Sequence, residues 1–160
     1  MEEEKKIKLP EAFVKKMEKL LGSDAGPFFE SYDAERKFGL RVNPLKQKNG
    51  WTAEEGTPLE EYLGGLAKVP WAKEGFYYEA DMRPGRHPFH EAGAYYIQEP
   101  SAMSTAEALA PKPGERILDL CAAPGGKSTH LAGKMDGQGL LICNEIHPAR
   151  AKILSQNIER

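Results

Sequence analysis

The run Asp119-Leu120-Cys121-Ala122-Ala123-Pro124-Gly125-Gly126-Lys127 constrains this chain more than any other feature. It leaves a short apolar segment at 117–120, the pattern of a buried strand, and enters a helical period at 127–135. Small residues at such a turn let backbone approach a ligand closely. The helix N-terminus behind it aims free amides and a positive dipole end at the same place. A second apolar strand is expected at 139–144, ending at Glu145, and a further helix from His147 with Pro148 in its first turn. Strand, glycine turn, helix, strand, helix is a βαβα unit, so its two strands should be parallel. An acid at the end of the second strand can accept hydrogen bonds from both ribose hydroxyls. Loop and acid together point to a nucleoside-containing cofactor.

Three rival readings stay open at the level of the residues. Gly126-Lys127-Ser128 completes the end of G-x-x-x-x-G-K-[ST], with Cys121 where the first glycine of a nucleoside-triphosphate loop should stand. Against it, Pro124 removes an amide from a loop whose task is to surround phosphates with amides. A dinucleotide site would need G-x-G-x-x-G, which is not present. The third rival is a tight strand-to-helix turn with no ligand.

The rest of the 160 residues supplies a small module before this unit. A helix is expected at 9–21, with Phe13, Met17, Leu20 and Leu21 on one stripe, and a second short helix through Phe28, Phe29 and Tyr32. Residues 38–43 alternate as a half-buried strand, 47–56 read as a polar loop, and Pro58 opens a short helix. Val69-Pro70-Trp71 and 75–78 read as strands, and so does 94–97, before a helix at 102–109. The basic, proline-rich stretch Arg83-Pro84-Gly85-Arg86-His87-Pro88-Phe89-His90 reads as an irregular surface linker and places the domain boundary at 92/93. The expected division is an α+β module at 1–92 and the start of an α/β sheet at 93–160. Two parallel strands do not complete a doubly wound sheet, so more strands are expected after Arg160 and the chain reads as part of a longer protein.

Composition narrows the setting. No apolar run approaches the roughly 20 residues of a membrane span, and the Glu- and Lys-rich N-terminus is no secretory signal. Cys121 and Cys143 are too few for a disulfide framework, which fits reduced thiols in a cytoplasmic protein. A net charge of −2 gives no global signal for nucleic acid. His87, His90 and Glu91 match no complete metal site, and no metal is expected. Arg83 and Arg86 either touch RNA backbone or are solvated. Trp51 and Trp71 could stack on bases; Phe76 and Tyr78 are expected in the core, and Tyr77 is open.

The segment 119–129 resembles the cofactor loop of the Sun-type RNA 5-methylcytosine methyltransferases. Leu40-Arg41-Val42-Asn43-Pro44, the segment 93–103, Asn144-Glu145-Ile146-His147-Pro148-Ala149-Arg150 and 157–160 resemble other segments of that family, so the likeness spans about 38–160. The resemblance implies a Rossmann-like methyltransferase sheet, S-adenosylmethionine as cofactor, and RNA as substrate, ribosomal RNA or a ribosomal subunit above all. It places Cys121, Ala122, Ala123, Pro124, Gly125, Gly126 and Lys127 at the cofactor's methionine portion and Glu145 at its ribose. Arg150 is a weaker candidate, more readily read as a solvated helix arginine. The reaction needs a thiolate to add at carbon 6 of cytosine and so activate carbon 5. The family places that cysteine beyond Arg160, so no catalytic residue is expected in 1–160. Cys121 lies in the cofactor loop and Cys143 reads as a packed apolar residue; neither is assigned as nucleophile. On this reading the chain alone should bind cofactor poorly and methylate nothing.

Overall fold

The computed structural model describes residues 8–47 and 57–160. The chain divides into two compact units, 1–36 and 37–160. In the first, α1 (Glu11–Leu21) runs to Gly22, whose positive φ of 55° ends the helix. A 3-10 turn (Gly22–Asp24) leads into α2 (Ala25–Glu30). Phe13 from α1 meets Phe28 and Tyr32, each with ring centroids 6.2 Å away, and these rings hold the hairpin together.

The second unit opens with an antiparallel sheet in the order β2-β1-β3, formed by β1 (Phe38–Val42), β2 (Gly75–Tyr78) and β3 (Tyr95–Ile97). Short helices α3 (Pro44–Gln47), α4 (Pro58–Leu63) and α5 (Pro88–Glu91) lie along the connections. Leu40 and Val42 point to one face and share a core with Leu59, Leu63, Phe76 and Tyr95. Gly39 and Arg41 point to the other, where α6 (Pro100–Leu109) packs. A side chain at Gly39 would put Cβ 2.7 Å from the Gln98 carbonyl and 2.9 Å from Pro100, so glycine there sets how closely α6 approaches.

The βαβα unit forms as expected. β4 (Arg116–Asp119) and β5 (Leu140–Cys143) are parallel, with Arg116 opposite Leu140 and Asp119 opposite Cys143. They are joined by α7 (Gly126–Met135) and followed by α8 (Pro148–Glu159). Leu118, Leu140 and Ile142 are exposed on the outer face of this pair.

Several expectations change. Val69-Pro70-Trp71 is a turn: Pro70 has no N–H for a ladder, and buried Val69 packs with Ala72 and Met103 instead. Tyr77 packs on that cluster, while Phe76 is buried and Tyr78 partly so. The stretch 83–90 is not an irregular linker. It forms a 3-10 turn (Pro84–Arg86) and α5, Pro84 is buried, and its carbonyl accepts the Tyr95 hydroxyl at 2.8 Å. His87 caps α5 through Nδ1, which accepts from the Phe89 amide at 3.2 Å, and its ring stacks on Tyr62. Because β3 follows this stretch and pairs with β1, the antiparallel sheet spans the boundary expected at 92/93. Gln47 closes α3, whereas the remainder of the expected loop and Trp51 lie outside the described residues.

Candidate functional site

The strand ends of the βαβα unit build the site. The β4–β5 ladder continues past the strands, with the Asn144 amide donating to Asp119 at 2.8 Å and the Ala122 amide to Asn144 at 3.0 Å. Asp119 then organises the turn: it accepts from the Cys121 amide at 3.2 Å and from the Ser128 hydroxyl at 2.7 Å. Ala122 and Ala123 are buried against Leu154 of α8, with Cys143 beside them. Gly125 has φ +119°, a conformation side chains rarely adopt, and α7 begins at the next residue. The amides of Gly126, Lys127 and Ser128 precede the first intrahelical bond and have no partner within the helix.

Residues of α8 hold two carbonyls of this loop. Arg150 Nη2 donates to the Ala123 carbonyl at 2.8 Å, and Asn157 Nδ2 donates to the Pro124 carbonyl at 2.7 Å. Arg150 Nη1 also lies 3.2 Å from Glu145 Oε2. Arg150 is therefore not a merely solvated helix arginine; it bridges the loop to the acid at the end of β5. The Glu145 side chain is only 4% exposed, and its Oε1 accepts the His147 amide at 2.9 Å.

Opposite the loop lies a wall that the sequence reading did not assign to the site. Tyr96, Gln98, Glu99 and Ala102 face Pro124, Gly126 and Lys127 across a cleft of about 490 Å³. A Cβ on Gly126 would sit 3.1 Å from Tyr96 Cε1, so the absence of a side chain there permits this approach. The signal was the segment 93–103, recognised as family-like but given no role. Cys121 is exposed and Cys143 half-buried, both as free thiols. Ser128 is fully buried with its hydroxyl committed to Asp119, so it is poorly placed to serve a metal–triphosphate.

Behind the loop, α7 joins a buried polar network. Arg41, 1% exposed, donates through Nε to Gln98 Oε1 and through Nη2 to Thr129 Oγ1, both at 2.9 Å. His130 Nε2 lies 3.1 Å from Glu107 Oε1, and Lys134 Nζ is 2.7 Å from Glu107 Oε2. Glu74, Glu107 and His130 bring donor atoms within 4.8 Å of one another, a set that suits a cation by residue type. Arg41 and Lys134 already balance the two carboxylates, so the cluster reads as an ion network.

Burial, then Arg41 and Lys134, lower the His130 pKa from 6.5 to about 3. Folded His130 stays neutral while an unfolded imidazole protonates near 6.5, so the unfolded state gains the extra proton between them. Stability is expected to fall as pH drops from 6.5 toward 3, at up to about 1.4 kcal/mol per pH unit. His130→Gln should flatten this acid limb, which urea midpoints at neutral and mildly acidic pH will read.

Comparison with known proteins agrees with the geometry. A family model described as the N-terminal domain of 16S rRNA methyltransferase RsmF matches residues 9–100, more than half of the chain. A second, 16S rRNA methyltransferase RsmB/F, matches 106–160. Ribosomal RNA small subunit methyltransferase F of Vibrio cholerae is 37% identical over 161 aligned residues, covering 96% of this chain and 33% of the relative. The protein of the same name from Erwinia tasmaniensis is 35% identical, covering 97% and 34%. The chain thus spans about a third of the length of these curated relatives. A methyltransferase homolog from Pyrococcus horikoshii superposes with TM-score 0.78 at 31% identity, covering 94% of this chain and 49% of that one. NSun6 from the same organism superposes at 0.69 with 18% identity, a likeness of fold, covering 94% and 62%. From the antiparallel sheet through the glycine turn to α8 this is the start of a methyltransferase fold, and the chain belongs to the RsmF family of 16S rRNA methyltransferases.

Proposed function

We propose that this chain provides the N-terminal module and the cofactor-binding portion of an S-adenosylmethionine-dependent methyltransferase acting on carbon 5 of cytosine in RNA. The names of its relatives favour RNA of the small ribosomal subunit, and hence a cytoplasmic setting. No helix among the described residues is long and apolar enough to cross a membrane.

The single observation that carries the reading is the arrangement of α8 around the glycine turn. Arg150 and Asn157 hold the Ala123 and Pro124 carbonyls, and Glu145 stands buried at the other end of the same bridge. These residues fit the cofactor. Glu145 would take the ribose hydroxyls, and the first-turn amides with Lys127 would take the carboxylate of the methionine portion. When bound, S-adenosylmethionine supplies an electrophilic methyl group. The chain's own residues orient it; the nucleophilic cysteine is expected beyond Arg160, and Cys121 stays unassigned to that role. The triphosphate alternative is weakened by Pro124 and by the committed hydroxyl of Ser128.

Thermal unfolding tests the proposal. In the protein extended to the length of its relatives, S-adenosylmethionine should raise the midpoint and ATP should not, because a ligand stabilises the state that binds it. Glu145→Ala should remove that protection. Protection by ATP alone would overturn the reading. In the protein extended to the length of its relatives, transfer of labelled methyl to ribosomal RNA cytosine should likewise be lost on Glu145→Ala.

A further inference from the structure

We infer that the cleft beside the Arg83–Arg86 turn is a binding site for single-stranded RNA, taking a base against the sheet and phosphates on the two arginines. This rests on the reading of RNA as substrate. It adjoins the cleft beside the glycine turn, with Ile97 lining both.

The cleft is an open depression lined by Phe38, Tyr78, Ala80, Ile97 and the turn 83–86. Phe38 and Tyr78 face each other in register across β1 and β2, with ring centroids 5.7 Å apart. They are presented by neighbouring strands, so their positions are set by the sheet. Ile97 of β3 completes the apolar floor. Bases stack on aromatic side chains with little regard to sequence, while a cationic rim tracks the backbone.

The rim is built, not loose. Arg83 has φ +48°, an uncommon conformation for a residue with a side chain. The turn it opens is closed by the Arg86 amide donating to the Arg83 carbonyl at 3.0 Å. The buried Pro84 carbonyl ties the same turn to Tyr95 of β3. Gly85 lies against Ile97, where an added Cβ would be 3.4 Å from Cδ1. Arg83 and Arg86 are the charged residues that line the cleft, and both are exposed. Among the described residues neither makes an ion pair. Glu79 and Asp81 are nearby in sequence but do not line it. Two arginines at the edge of an aromatic floor match a phosphodiester and its base.

Fluorescence anisotropy with a short, mixed-sequence, single-stranded oligoribonucleotide tests this on the whole chain. Arg83→Gln with Arg86→Gln should weaken binding about tenfold or more. It should also lower the slope of log K against log salt by about 1.4, or roughly 0.7 per phosphate contact. Tyr78→Ala should weaken binding about tenfold while Tyr78→Phe keeps it, because stacking needs the ring and not the hydroxyl. In the protein extended to the length of its relatives, protection by S-adenosylmethionine should be unchanged in the double variant. If no variant is protected by cofactor yet the double variant still loses RNA, the cofactor reading fails and the cleft stands. Equal affinity and salt slope in wild type and double variant would overturn the inference. So would failure of the wild type to bind RNA, or arginine-dependent capture of an acidic peptide in its place.

Discussion

Arg41→Ala is expected to lower the unfolding free energy by about 3–5 kcal/mol, the range seen when one partner is cut from a buried charged network. The guanidinium bridges β1 to Gln98 and to α7 through Thr129, and its removal leaves both without their donor. It also uncovers the carboxylates of Glu74 and Glu107, whose charge opposes the effect of burial on Arg41. Burial is the larger influence and brings the Arg41 pKa down to about 10, so the group stays cationic at neutral pH. Arg41→Lys should recover part of the loss, because an ammonium keeps the charge but not the fork that reaches two acceptors. Urea unfolding of the chain, followed by circular dichroism, gives both values. A change below about 1 kcal/mol for the alanine variant would show that the network contributes little.

Gly125→Ala is expected to have the largest effect on cofactor binding. At φ +119° a side chain is strained wherever it sits, and here Cβ would lie 3.3 Å from Asn157 Cβ and 3.4 Å from Leu154 Cδ1. The loop must then shift, and with it the bond from Asn157 to the Pro124 carbonyl. A cost of about 2 kcal/mol is expected from backbone strain of this kind. If it falls on the bound geometry, affinity for S-adenosylmethionine drops roughly thirtyfold. Gly137→Ala is the matched control. It too has positive φ, +72°, but nothing lies within 4 Å of its added Cβ, so it should destabilise without changing affinity. Calorimetric titration of both variants, made in the protein extended to the length of its relatives, separates the two effects.

The strand, glycine turn and helix at 116–135 were legible because local chemistry dictates them: an apolar run, then small residues with Pro124, then a helical period. The helices and the parallel pair followed from periodicity for the same reason. The linker reading of 83–90 failed because proline and arginine describe composition, whereas burial of Pro84 depends on a hydroxyl from β3. Arg41 was passed over because alternation at 38–43 marks one buried face and is silent about the other. That second face is closed by α6 and α7, and the partner of Arg41 on α7 stands 88 positions away. The Tyr96–Ala102 wall was missed on similar grounds, since a strand end becomes part of a site only when the loop arrives opposite it.

The bond between Arg41 and Thr129 also bears on how such a gene can be rearranged. The two residues belong to the two ends of a long coding interval, yet they meet inside one buried network. A crossover anywhere between them joins an arginine selected against one helix to a helix selected against another arginine. The two halves are therefore expected to be inherited together, and chimaeras between relatives should tolerate junctions outside this interval better than junctions within it.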